Sequence, residues 1–122
     1  MIKQSLLAAT ALTLTAAIPA QAQVEIQWWH AMGGRLGELV EEIATNFNAS
    51  QSDYAVRPSF RGTYTETMTG AIAAFRAGEQ PHIVQVFEVG TGTMMAAEGA
   101  IVPIYELMAE HNVPFDPSAY LP

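Results

Sequence analysis

Residues Val56–Gly90 read V-R-P-S-F-R-G-T-Y-T-E-T-M-T-G-A-I-A-A-F-R-A-G-E-Q-P-H-I-V-Q-V-F-E-V-G, and their reading decides the fold. Val56–Phe60 is a short strand candidate, opened by a β-branched residue and closed by an aromatic one, and Arg61-Gly62 stops it. Thr63 follows as a helix N-cap, because Glu66 stands three residues later and the two can satisfy each other's free backbone N–H groups. Met68, Ala71, Ile72 and Phe75 recur at i, i+3, i+4 and i+7, one apolar helical face. Gly78 supplies the helix stop, and Pro81 keeps the helix from resuming. Ile83–Phe87 is a nearly unbroken apolar run of strand length, as expected of a strand covered on both faces. The stretch is therefore a strand–helix–strand unit of the length a parallel crossover needs.

Open parallel sheets bind ligands where strands finish and helices begin. Tyr64 falls just after the first strand of this unit and Glu88 just after the second. An acid at the end of an apolar strand has no packing reason to be there, which makes Glu88 the leading candidate for ligand contact.

Upstream, Lys3 is the one charge ahead of an apolar stretch, Leu6–Ile18, too short to span a membrane. Ala20-Gln21-Ala22 fits a small-x-small cleavage site, so residues 1–22 read as a secretory signal peptide and the mature chain is expected to begin at Gln23. Nothing after it is long and apolar enough to cross a membrane. The chain has 122 residues, and removing the leader leaves one small domain at most. Losing Lys3 leaves four basic residues, all arginines (35, 57, 61 and 76), against twelve acids. Such an acidic surface argues against nucleic acid and against an anionic membrane face. An anionic ligand would then need a local cluster of donors. There is no cysteine, hence no disulfide even in an oxidising compartment.

Val24–Trp29 alternates apolar and polar residues and predicts a first strand, with His30–Gly34 as the turn after it. A helix is expected over Arg35–Asn46, with Leu36, Leu39, Val40, Ile43 and Phe47 on one stripe and Glu38, Glu41 and Glu42 outside it. Asn46, Asn48, Ser50 and Ser52 read as a polar loop. Beyond Glu88, Met94–Ala97 predicts a short helix ended by Gly99. Ile101–Ile104 holds Pro103 and predicts a turn or edge segment, and Tyr105–His111 a last helix. The alternation gives an α/β fold with a mostly parallel sheet flanked by helices. Phe115–Pro122 contains no stop that closes a domain.

His30 and Glu88 both follow strands, but no nucleophile with an activating partner accompanies them, so no catalytic residue is expected. The plainer reading of His30 is a ring packed on Trp29. The three histidines (30, 82 and 111) lack metal-ligand spacing, and no metal is expected. The Gly62-Thr63-Tyr64 and Gly90-Thr91-Gly92 turns could offer backbone N–H groups to a phosphate, but neither has P-loop spacing. Trp28-Trp29 could stack on a polyol, though alternation turns one ring to the core. Met94-Met95 reads as core.

The segments W-W-H-A-M-G-G (28–34), F-R-G-T-Y-T-E-T (60–67), G-A-I-A-A-F-R-A-G (70–78) and I-V-Q-V-F-E-V-G-T-G-T-M-M-A (83–96) resemble the periplasmic glycerol-3-phosphate-binding proteins of ABC importers, within the extracellular solute-binding proteins of family 1. The resemblance runs from about Glu25 to Pro122, and 85–95 carries its most specific part. It implies a two-lobed α/β receptor, several times longer than this chain, that closes on its solute. Residues 23–122 would then be the amino-terminal part of its first lobe. Tyr64 matches a ligand-contacting tyrosine and Glu88 a glutamate that takes hydrogen bonds from the glycerol hydroxyls; Trp29 and His30 match cleft-wall positions. The remaining ligand contacts of the family, including an arginine that holds the phosphate, would lie beyond Pro122, with Arg35 and Arg61 as the local substitutes. The implied function is capture of sn-glycerol 3-phosphate, and of its phosphodiesters, by a periplasmic monomer that docks on membrane permease subunits and uses no cofactor. The alternatives are a receptor for a neutral sugar or oligosaccharide, a small exported phosphoester hydrolase using His30 and Glu88, and a one-lobe protein that docks on another chain.

Overall fold

A computed structural model describes residues 23–97, 99–114, 116 and 118; the leader expected over residues 1–22 lies outside the described residues. Strand β1 (Val24–His30) is followed by helix α1 (Gly34–Ser50), strand β2 (Tyr54–Phe60), helix α2 (Tyr64–Ala77) and strand β3 (Ile83–Val84). A single 3₁₀ turn (Glu88–Gly90) leads into helix α3 (Thr91–Met95), and helix α4 (Ile104–Glu110) closes the described chain. The α/β fold is as expected. The sheet is wholly parallel in the order β2-β1-β3, with Val24 opposite Tyr54, His30 opposite Phe60, and Trp28 and Trp29 opposite Ile83 and Val84.

Because the connections leave β1 first to one side and then to the other, right-handed crossovers put α1 and α2 on opposite faces. The contacts agree. Ile26 and Trp28 line an apolar cavity of about 430 Å³ with Ile43 and Phe47 of α1. Trp29 turns the other way, its Cζ3 4.0 Å from where a Cβ on Gly70 of α2 would sit. Both tryptophans are thus half-buried, one under each helix, where alternation alone expected one at the core.

β3 is shorter than the apolar run Ile83–Phe87 predicts, and Ile83 is exposed rather than covered on both faces. Side chains take over the ladder. His82 Nδ1 accepts from the Gln27 N–H at 3.1 Å, and Gln85 Oε1 accepts from the Ala31 N–H at 3.0 Å, where a main-chain carbonyl would otherwise stand. Gln85 N–H still donates to Trp29 O at 2.9 Å. The chain then leaves the sheet, and Phe87 packs on Tyr64 instead of on a strand neighbour.

Helix α1 runs on to Ser50, through the residues expected to form a polar loop. Asn48 explains the difference. Its Nδ2 donates to Val56 O at 2.9 Å and its Oδ1 accepts from Val56 N–H at 2.7 Å, tying the helix to the outer edge of β2. Ser50 Oγ donates to Phe47 O at 2.7 Å. Gln51 Oε1 then accepts from the Asp53 and Tyr54 N–H groups, each at 2.8 Å, and shapes the turn into β2. The packed face of α1 is also rotated from the expected stripe. Val40 and Ala44 are buried, whereas Leu36 and Ile43 are 55% and 59% exposed. Helix α1 approaches the sheet through its small residues, and the larger apolar ones flank it.

Helix α2 begins and ends as expected. Thr63 Oγ1 accepts from Glu66 N–H, Glu66 Oε2 accepts from Thr63 N–H at 2.7 Å, and Gly78 takes a left-handed φ of 73° at the other end. On the expected face Ala71 is buried, but the most buried residue is Thr67, whose hydroxyl has no partner among the described residues, and Phe75 is exposed. Of the two methionines read as core, Met94 is buried and Met95 exposed. Residues 91–95 form the helix expected over 94–97, and the last helix starts one residue earlier than its sequence predicts, at Ile104.

These polar clamps make three predictions. Replacing Asn48 by alanine leaves both Val56 backbone groups without partners and should cost about 1–3 kcal/mol in denaturant unfolding; replacing exposed Asn46 should change it by less than about 0.5 kcal/mol. Losing the Thr63 cap (Thr63→Ala) should cost about 1 kcal/mol. Hydrogen bonds from the Thr63 main chain, and secondarily its side chain, hold the Glu66 carboxyl below its ordinary value of 4.5. A lowered folded-state value contributes stability that is present above about pH 4.5 and lost as pH falls through the lowered value. A Glu66→Gln variant should lack that acid-side loss, measured as unfolding midpoint against pH.

Candidate functional site

The carboxyl ends of the three strands come to one edge of the sheet, and the chain leaves each by a different route. After β1 it enters the loop to α1. After β2, Arg61 donates its main-chain N–H to His30 O at 2.9 Å, and Gly62 then turns with φ 91°. Only glycine suits that position, since a Cβ would also lie 2.4 Å from Glu66 Oε2. This turn delivers Tyr64 as the first residue of α2. After β3, Gln85–Phe87 carries the chain across to Glu88, the first residue of the 3₁₀ turn.

Tyr64 and Phe87 stack with ring centroids 5.4 Å apart and planes 26° off parallel. Phe87 is braced in turn by Met68 and Gly90: a Cβ on Gly90 would lie 2.8 Å from both Met68 Sδ and Phe87 Cε1. The stack therefore sets Tyr64 beside the residue that precedes Glu88. Both Tyr64 and Glu88 are exposed, and among the described residues Glu88 has no ion-pair partner. Glu88 is three residues farther from its strand than expected, because β3 ends at Val84.

Trp29 lies on the α2 face of this edge with the Arg61 guanidinium carbon 4.0 Å from its ring centroid. His30 is elsewhere. It is 2% exposed and turned to the α1 face, its ring 6.1 Å from both Trp28 and Phe60, so it packs on those two rings and not on Trp29. Among the described residues neither of its nitrogens has a hydrogen-bond partner, and the structure does not join it to Glu88. Among the described residues no three histidines, aspartates or glutamates are grouped to hold a metal, and no helix is long and apolar enough to cross a membrane.

Sequence reasoning had no means to find Phe87, which it placed inside a strand, or the Arg61–Trp29 stack. The first depends on where β3 stops. The second needs β2 to end level with β1, a matter of register.

A three-stranded parallel sheet flanked by helices is an α/β fold, consistent with part of a lobe of a solute-binding protein. No protein-family model matches the chain. It is 56% identical over 106 residues to the sn-glycerol-3-phosphate-binding periplasmic protein UgpB of Rhizobium meliloti (87% of this chain, 25% of that protein). It is 49% identical over 112 residues to the protein of that name in Brucella abortus (92% and 26%) and 48% over 116 residues to that of Agrobacterium fabrum (95% and 27%). The chain spans about a quarter of the length of these curated relatives. Identity of this order across most of the chain makes it a homologue of that family's amino-terminal region.

Replacing Gly90 by alanine should push Phe87 off Tyr64. The variant is expected to lose about 1–3 kcal/mol of stability, and its near-ultraviolet circular dichroism should lose the contribution of the stacked pair.

Proposed function

We propose that the chain is the part of an ABC importer's substrate-binding component that grips the polyol end of sn-glycerol 3-phosphate, and of glycerophosphodiesters, in the periplasm. The observation that carries this reading is the Tyr64–Phe87 stack, which packs a tyrosine at the end of β2 on the residue that precedes the solvent-facing Glu88; the names of the relatives support the ligand. An ionised carboxylate only accepts hydrogen bonds, and its two oxygens suit the two adjacent hydroxyls of a glycerol moiety. Tyr64 offers a ring face to the carbon chain and a hydroxyl at its rim. Trp29 contributes wall area. His30, buried on the other face, supports the wall through packing and makes no contact with ligand.

Residues 1–22 direct export and are removed, residues 23–122 form part of the first lobe, and the partners are the permease subunits of the importer. The protein works as a monomer without cofactor and turns nothing over.

The test is calorimetric titration of the full-length exported protein with glycerol 3-phosphate. Glu88→Ala should weaken binding by about 1–3 kcal/mol, with Tyr64→Ala weakening it in the same direction. Unchanged affinity in the Glu88 variant removes that residue from the site. Binding of a saccharide with no requirement for phosphate would make the protein a neutral-sugar receptor instead.

A further inference from the structure

Strand β2 ends the sheet on one side, and its outer edge has an unusual sequence of main-chain partners. Val24 N–H donates to Asp53 O and Arg61 N–H donates to His30 O, each at 2.9 Å, at the two ends of the β1–β2 pairing. Main-chain groups alternate in direction along a strand, so Ala55, Arg57 and Ser59 face β1, while Tyr54, Val56, Pro58 and Phe60 turn theirs outward. A row of outward groups is a template on which a strand of another molecule can pair. Exposed apolar side chains add to the hazard here: Tyr54 and Phe60 on the strand, Ile43 and Phe47 on α1.

Three outward positions in succession are nonetheless closed. Gln51, just past α1, accepts from Tyr54 N–H through Oε1 and donates to Tyr54 O through Nε2, both at 2.8 Å. Gln23 adds a second, longer donor to that carbonyl at 3.4 Å. Asn48 treats Val56 in the same way, accepting at 2.7 Å and donating at 2.9 Å. A carboxamide carries a C=O and N–H donors, as a peptide unit does, so each side chain fills the place of a neighbouring strand's backbone. Pro58 closes the third position, because its ring nitrogen faces outward and has no hydrogen to donate. At an inward position the same ring would have broken the ladder with β1.

We infer that Asn48, Gln51 and Pro58 together close the outer edge of β2 to strand addition and so keep a second copy of this chain from pairing edge to edge with the first. Anchoring α1 accounts for the two amides but not for the proline, which adds no hydrogen bond and stands next in the same row. A strand arriving from another molecule would have to displace both carboxamides and would find no donor at Pro58, so it would exchange existing hydrogen bonds for fewer. Phe60 is the last outward residue before Gly62 turns the chain, and one residue offers too little for a strand to pair with.

The experiment uses the full-length exported protein, unchanged and as the variants Asn48→Ala/Pro58→Val and Pro58→Val. Sedimentation velocity over a range of concentrations is combined with amide hydrogen exchange. The double variant should sediment as a monomer when dilute and as a larger species when concentrated. Its Val56 N–H should exchange about tenfold faster or more than in the unchanged protein when dilute, and regain protection when concentrated, which places the new contact at this edge. Pro58→Val removes no hydrogen bond and should fold as the unchanged protein does, associating only at higher concentration. Thr63→Ala, which weakens α2 away from β2, should stay monomeric; association there to the same degree would mean that lost stability alone is responsible, and would overturn the inference. So would either edge variant if it folds with a cooperative melt and remains monomeric at every concentration.

Discussion

Strand β1 is hydrogen-bonded on both edges, and the rest of the structure depends on that position. At its carboxyl end a helix lies over each face, which calls for large apolar side chains in both directions. Trp28 and Trp29 meet that demand there, while Glu25 and Gln27 nearer its start stay exposed. The same position ends β1 level with β2, His30 opposite Phe60, which brings Arg61 to the rim beside Trp29. Register in the sheet is therefore what brings the Arg61 guanidinium over the Trp29 ring.

Polar side chains do much of the joining. Asn48 seals part of the outer edge of β2, while His82 and Gln85 extend the short pairing of β3 with β1. Each supplies a hydrogen-bonding group where the main chain of a neighbouring strand is absent, and so keeps backbone N–H and C=O groups satisfied. Helices seat through small residues: Ala44 on α1, Ala71 and Gly70 on α2. Close approach of a helix to a sheet needs little side-chain volume at the contact. The larger apolar residues of α1 are thereby displaced to its flank, where they border the apolar cavity beside Ile83.

Aromatic rings organise the carboxyl ends of the strands: Phe87, the residue before Glu88, stacks on Tyr64, and Trp29 lies under the Arg61 guanidinium.

By itself the sequence determined the features set by local rules. The α2 capping box and its glycine stop, the parallel alternation of strands and helices, and the placing of Tyr64 and Glu88 beyond strand ends were all legible, because capping, turns and periodicity involve residues close in the chain. Tertiary structure decided the rest. Ile83–Phe87 carries enough apolar residues for a full strand, yet pairing ends at Val84 because Gln85 gives its side chain to Ala31 and Phe87 goes to Tyr64. Asn46–Ser50 has loop composition, yet it stays helical because Asn48 finds Val56. The stripe on α1 was real but did not show which flank meets the sheet. His30, expected in the turn after the strand and packed on Trp29, is instead the last residue of β1 and turned away from Trp29. These outcomes turn on partners distant in sequence, often tens of residues away, and no local pattern encodes where a distant backbone group will stand.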